Sequence, residues 1–209
     1  MARSERDARY AGGMTAYDRG MALIVVDVQN DFAAPVGSLS VRGGDAIILY
    51  LNGEIAEAKA AGALVVYTQD WHPATTPHFA KDGGVWPVHC VAGTEGARLH
   101  PALQVSPDAP IVRKGVDGED GYSGFSVRDP RTGETHRTAL QELLDDRGIE
   151  RLVVAGLATD YCVRATVLDG LALGYSVTVL EDGVRAVDLE PGDGEAALAE
   201  MRAAGAHLA

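Results

Sequence analysis

The chain has 209 residues, 46% of them hydrophobic, which is enough for one domain or a small pair burying roughly 70% of its unfolded surface. Thirty acidic residues against 18 Lys and Arg leave a net charge of −12, which argues against nucleic acid and against an anionic membrane surface as partners. Two widely separated cysteines and the absence of an apolar leader in residues 1–20 speak against a disulfide framework, so the expectation is a cytoplasmic protein with no membrane span.

In chain order, residues 1–20 are charged and Gly-containing and are expected to form a flexible N-terminal arm ahead of a single α/β domain over 21–209. The apolar run 22–26 predicts a buried strand, and it ends on Asp27, a charge such a run tolerates only with a partner. A helix is predicted over 45–61, stopped by Gly62, and a second buried strand over 63–68. A long irregular stretch, 70–110, follows and holds Asp70, His72, His78 and His89. A short strand at 111–112 leads into Lys114 and a Gly-rich acidic loop with Asp117, Glu119 and Asp120, within a second irregular stretch over 114–136. The turn-rich part at 126–136 suggests no role. The remainder alternates again, with helices over 137–147, 160–173 and 194–204 around strands at 152–155 and 176–180. Gly148, Gly174 and Gly205 stand where helices end. This alternation predicts an α/β fold, a doubly wound, mostly parallel sheet with helices on both faces and ligands beyond the carboxyl ends of its strands. Loops longer than about 15 residues in such a domain are usually functional.

Cys162 sits just past the apolar run 152–155, at the start of a predicted helix whose unpaired N–H groups favour an anion. A thiolate there is a nucleophile, although the same residue reads equally as a small buried apolar cysteine. Asp27 and Lys114 individually read as solvated turn residues. Jointly, Asp27, Lys114 and Cys162 place an acid, a base and a thiol at three strand ends that converge in a doubly wound sheet. The segment containing Asp70, His72, His78 and His89 carries one carboxylate and three imidazoles. Asp70 and His72 are two apart in an extended stretch and project to one side. That donor set suits one divalent ion, Zn, Fe or Mn, with an open position, and lacks the thiolates of a closed structural zinc site. The bland alternative is four unrelated loop residues. Cys90 reads as a packing residue.

Asp-Val-Gln-Asn-Asp-Phe at 27–32, Asp-Trp-His-Pro at 70–73, Trp-Pro-Val-His-Cys at 86–90, Lys-Gly at 114–115, Tyr-Ser-Gly-Phe at 122–125 and Gly-Leu-Ala-Thr-Asp-Tyr-Cys-Val at 156–163 stand in the order of a known set of motifs. Over residues 21 to about 205 the chain resembles the isochorismatase-like cysteine hydrolases, and within them the nicotinamidase/pyrazinamidase group. The resemblance implies Asp27 as general base, Lys114 as its charged partner and Cys162 as nucleophile. It implies an oxyanion hole from the backbone N–H groups of Ala158 and Cys162, and a cis peptide between residues 157 and 158. It further implies Asp70, His72, His78 and His89 as metal ligands and Phe32, Trp86 and Tyr122 as walls of the substrate pocket. The activity implied is hydrolysis of nicotinamide to nicotinic acid and ammonia through a thioester, in NAD salvage, with pyrazinamide also accepted. A homo-oligomer is compatible with the family, and no feature of the chain specifies one. The acidic loop over 115–121 looks longer than in some members and is expected near the pocket mouth, where it either alters substrate choice or is simply solvated. Two alternatives remain: another hydrolase on this scaffold, an isochorismatase or N-carbamoyl amidohydrolase, which has no need of the ligand cluster; and a silent binding module, which has no need of the intact triad.

Overall fold

The computed structural model describes residues 16–209. Of the arm expected over residues 1–20, most lies outside the described residues; Tyr17 and Asp18 pack on the domain, Tyr17 donating to buried Glu54 at 2.7 Å and Asp18 pairing with Arg151 at 2.6 Å. The chain runs β1 (Met21–Val26), α1 (Asn30–Ala33), α2 (Ile48–Ala60), β2 (Leu64–Asp70), β3 (Ile111–Lys114), β4 (Ser126–Arg128), β5 (Thr135–Arg137), α3 (Leu140–Asp145), β6 (Arg151–Leu157), α4 (Arg164–Ala172), β7 (Ser176–Arg185), α5 (Asp193–Ala203) and β8 (His207–Leu208).

Six strands form one sheet in the order β3-β2-β1-β6-β7-β8, with every pairing parallel. A strand buried on both faces must be apolar at successive positions, and β1 is buried at all six. Its side chains alternate between two cores. Met21, Leu23 and Val25 pack with Ile48, Leu51, Ile55 and Ala58 of α2, whereas Ala22, Ile24 and Val26 pack with Leu140 and Leu144 of α3, Val167 of α4 and Met201 of α5. Helices therefore cover both faces, as the alternation predicted. From β1 the chain builds outward through β2 and β3, then returns to β6 on the other side of β1 and continues through β7 and β8. The reversal between β1 and β6 is the position at which such sheets open a crevice at their carboxyl ends.

Several boundaries differ from those predicted. β2 and β3 extend to Asp70 and Lys114, which are paired in register, so these charges are the last residues of strands rather than the first of loops. The excursion at 126–136 contains a two-stranded antiparallel hairpin, β4–β5, which takes up the first residue of the helix predicted over 137–147 and leaves α3 shorter. The helix predicted over 160–173 begins as a π-helical turn, Thr159–Val163, before α4. No described helix is long and apolar enough to cross a membrane.

Gly156, near the end of β6, has φ +124°, and a Cβ there would lie 2.1 Å from the Val26 carbonyl oxygen. Only glycine permits both the backbone conformation and the approach of β6 to β1 at the crevice. Gly156→Ala is expected to destabilise the protein by about 3 kcal/mol or more, measurable as a lower midpoint in urea unfolding.

Candidate active site

The crevice collects polar residues from four strand ends. Asp27 follows β1, Asp70 ends β2, Lys114 ends β3, and Cys162 lies in the π-helical turn after β6. Asp27 has φ +48°, a left-handed conformation that non-glycine residues seldom adopt, and its side chain is fully buried. Lys114, also fully buried, donates to Asp27 Oδ2 at 2.6 Å and lies 3.0 Å from Asp70 Oδ1. Its ammonium also donates to the carbonyls of Gly121 and Tyr122, so the loop after β3 curls back over it. Acceptor atoms of Asp27 and Asp70 and the Cys162 sulfur lie within 4.8 Å of one another.

The electrostatics follow from that burial. For Lys114, burial disfavours the charge, but Asp27 and Asp70 outweigh it and hold the ammonium well above the ordinary lysine range. Burial raises Asp27 to about 6, against the pull of Lys114. Burial also opposes ionisation of Asp70, yet Lys114 and the neighbouring imidazoles keep its carboxyl well below the usual range. The Cys162 thiol is pushed far up by burial, Lys114 pulling it back while Asp27 and Asp70 reinforce the rise. This corrects one expectation: the helix start does not leave Cys162 a resting thiolate. Burial favours the thiol, beside the Asp27 carboxyl.

The four ligand candidates meet. Asp70 Oδ2 lies 3.7 Å from His72 Nε2 and 3.8 Å from His89 Nε2, and His72, His78 and His89 each place a ring nitrogen within 4.8 Å of the others. The irregular stretch achieves this by isolated bridges, His72 with Val91 and Phe79 with Trp86, which fold His78 and His89 back towards the end of β2. His72 is fully buried and neither of its ring nitrogens has a hydrogen-bond partner. A buried imidazole with two unsatisfied nitrogens is costly without a ligand. Burial lowers His78 to about 3 and lowers His89 as well, which keeps both rings neutral and their lone pairs free. His89 Nδ1 lies 2.7 Å from the Pro87 carbonyl, a contact that puts the proton on Nδ1 and leaves Nε2 towards Asp70. One carboxylate with three imidazoles fits a divalent ion, and Asp70, His72, His78 and His89 are the residues that would hold it.

Both groups border one cavity. Cys162, Ala158, Asp70, His78 and His89 line it together with the aromatic rings of Phe32, Trp86, Tyr122 and Tyr161 and the apolar side chains of Leu39, Val41 and Val187. Trp86 Nε1 donates to the Tyr122 hydroxyl at 2.8 Å, and Tyr161 packs edge-on to Trp86. Asp27, Lys114 and His72 sit behind this surface. The peptide between Leu157 and Ala158 is cis. The acidic loop is placed differently from the expectation. Gly115 and Gly121 press on His72 and Asp70, while Asp117, Glu119 and Asp120 lie outside the cavity lining.

Comparison with known proteins places the chain. The model of the isochorismatase domain matches residues 21–209. The chain belongs to the isochorismatase family. Among its relatives in that family, a nicotinamidase of Escherichia coli K12 is 43% identical over 203 residues, covering 90% of this chain and 93% of the relative. A pyrazinamidase of Pyrococcus horikoshii, solved in complex with zinc, superposes with a TM-score of 0.81 at 41% identity, covering 91% of this chain and 98% of that one. The PnC1 protein of L. infantum, solved in complex with nicotinate, gives a TM-score of 0.83 at 37% identity over 94% of this chain and 96% of that one.

Residue-level reading missed several parts of this isochorismatase-family site. Tyr161, Leu39, Val41 and Val187 line the cavity from loops whose approach no local pattern announces. Asp160 accepts from the Val187 and Asp188 N–H groups and so ties the rim to the turn bearing Cys162. Gln29 was legible in principle, as an uncharged polar residue two positions beyond Asp27 at the end of an apolar run.

Removing the cation tests the electrostatic account. Lys114→Met leaves Asp27 and Asp70 buried without a counter-charge and is expected to cost about 3–5 kcal/mol in urea unfolding. Adding Asp27→Asn to that variant is expected to recover part of the loss, a non-additivity that a double-mutant cycle reads directly.

Proposed function

We propose that this chain is a nicotinamidase, hydrolysing nicotinamide to nicotinate and ammonia through a thioester on Cys162, and that pyrazinamide is a second substrate. The observation that carries the reading is one cavity lined by aromatic rings that a buried thiol shares with a three-imidazole, one-carboxylate cluster. A ring bearing both a nitrogen donor and a carboxamide matches those two groups. The names of the relatives point the same way, and the ligand cluster disfavours a carbamoyl or isochorismate hydrolase, whose substrates offer no ring nitrogen. The catalytic unit is one domain over residues 21–209, in NAD salvage, and its free Cys90 and Cys162 suit a reducing, cytoplasmic compartment.

A divalent ion on Asp70, His72, His78 and His89, zinc, iron or manganese, would supply a Lewis-acid anchor for the ring nitrogen. The chain's own groups do the rest. Phe32, Trp86 and Tyr122 hold the flat ring and exclude water, presenting the carboxamide to Cys162. Asp27, poised near neutrality, takes the thiol proton, and the sulfur bonds to the amide carbon. The backbone N–H groups of Ala158 and Cys162 stabilise the oxyanion, an interaction typically worth about 3–4 kcal/mol. The C–N bond breaks as Asp27 returns the proton to the leaving nitrogen, and ammonia departs. Water, deprotonated by Asp27, then attacks the thioester; the C–S bond breaks, the thiol is reformed and nicotinate leaves. Throughout, Lys114 keeps its charge and limits the accumulation of anions.

Ammonia release from nicotinamide by the purified protein tests this. Cys162→Ala is expected to fall to background, and Asp27→Asn by about 10²–10⁴-fold. Stripping with a chelator is expected to abolish release and added zinc to restore it. Intact protein with metal restored that releases no ammonia from nicotinamide would sink the reading.

A further inference from the structure

Thr68 is the third-last residue of β2 and is fully buried. Its hydroxyl donates to Asp27 Oδ1 at 2.6 Å and accepts the Asp27 backbone N–H at 3.2 Å. Among the described residues, both hydrogen bonds of this hydroxyl go to Asp27, 41 positions away. Valine would satisfy the strand and fill the same space without burying a hydroxyl, so packing does not account for threonine here.

Asp27 needs such a brace. Its backbone is left-handed at φ +48°, and the terminal torsion of an Asp side chain is soft, with broad minima. Lys114 holds only Oδ2 of the pair, and a carboxylate fixed at one oxygen can still swing about that contact. A second donor on Oδ1 fixes the plane of the group, while the N–H bond fixes the backbone that carries it. We propose that Thr68 is a positioning residue for Asp27, holding the carboxylate in the orientation that accepts the Cys162 proton. The inference rests on the reading of Asp27 as the base. Misplacing a catalytic group by about 1 Å costs about 10²-fold in rate, which sets the scale of the effect.

The test compares Thr68→Val, which removes only the hydroxyl, with Thr68→Ser, which restores it. Three quantities are read: kcat and KM for ammonia release from nicotinamide, zinc affinity by competition with a chelating dye, and the rate at which iodoacetamide alkylates Cys162. The last step forms a carbon–sulfur bond, expels iodide and passes the thiol proton to Asp27, so it reports the base without substrate or metal; peptide mass spectrometry separates Cys162 from Cys90. Thr68→Val is expected to lower kcat and the alkylation rate together by about 10–100-fold, with KM and zinc affinity within about twofold. Thr68→Ser is expected to recover most of both rates. Thr68→Val with both rates unchanged would overturn the proposal. So would a fall in kcat and zinc affinity together with a rise in KM, the mark of a structural role that reaches Asp70 two residues on, or a failure of Ser to recover the rates. Should the unsubstituted protein release no ammonia, the functional reading fails, and the alkylation series still decides the role of Thr68.

Discussion

One ammonium serving two buried carboxylates organises this molecule. Lys114 Nζ stands 2.6 Å from Asp27 and 3.0 Å from Asp70 with none of the three side chains appreciably open to water. In water such contacts are worth little, but in the interior an unpaired charge costs several kcal/mol, so the arrangement holds only if all three groups are delivered together. The sheet does this. Asp70 and Lys114 are register partners on adjacent strands, and Asp27 leaves β1 on the other side of β2 in a left-handed turn back towards them. The loop after β3 is shaped by the same demand, since the ammonium donates hydrogen bonds to its carbonyls at Gly121 and Tyr122 and its glycines admit the backbone against His72.

That shared cation also joins the two halves of the site. Asp70 faces Lys114 through one oxygen and the imidazoles through the other. It therefore belongs both to the imidazole cluster and to the charge balance around Asp27 and Cys162. A substitution at Asp70 disturbs both at once, whereas one at His78 or His89 acts mainly on the ligand end.

The strand ends were the most legible part of the sequence. Asp27 closes a run too apolar for a lone charge, Asp70 and Lys114 stand at the ends of the next two strands, and parallel topology brings such ends together. The imidazole cluster was legible from composition and spacing, and the motif order carried the family. What escaped had physical reasons. The β4–β5 hairpin is three residues a side, and β5 is exposed throughout, so no burial pattern marks it. Thr68 looks like an ordinary strand former, because the residue that needs its hydroxyl is 41 positions away. The protonation of Cys162 depends on desolvation, which a helix-start pattern cannot register: the local donors favour a thiolate, and the burial that opposes them is decided by the whole crevice.

The stretch between β2 and β3 holds its ligands with little regular structure of its own, and the segment after β1 explains how. Asp27 turns the chain out of β1 in a left-handed conformation, Gln29 continues it extended, and Asp31 lies in the first turn of α1. Gln29 is fully buried; its side-chain amide donates to the Asp70 and Ala97 carbonyls and accepts the Asp70 N–H, each at 2.8 Å, which imitates one more strand pairing beyond the end of β1. Asp31 accepts the Cys90 N–H at 2.7 Å, next to His89, and the Cys90 carbonyl accepts the His72 N–H. Two polar side chains, Gln29 and Asp31, thus do for this stretch what a sheet does for its strands, fixing the backbone beside Asp70, His72 and His89. The continuation of β1 therefore anchors the backbone that carries Asp70, His72 and His89, so the strand that delivers Asp27 to the crevice also ties down the imidazole cluster beside it.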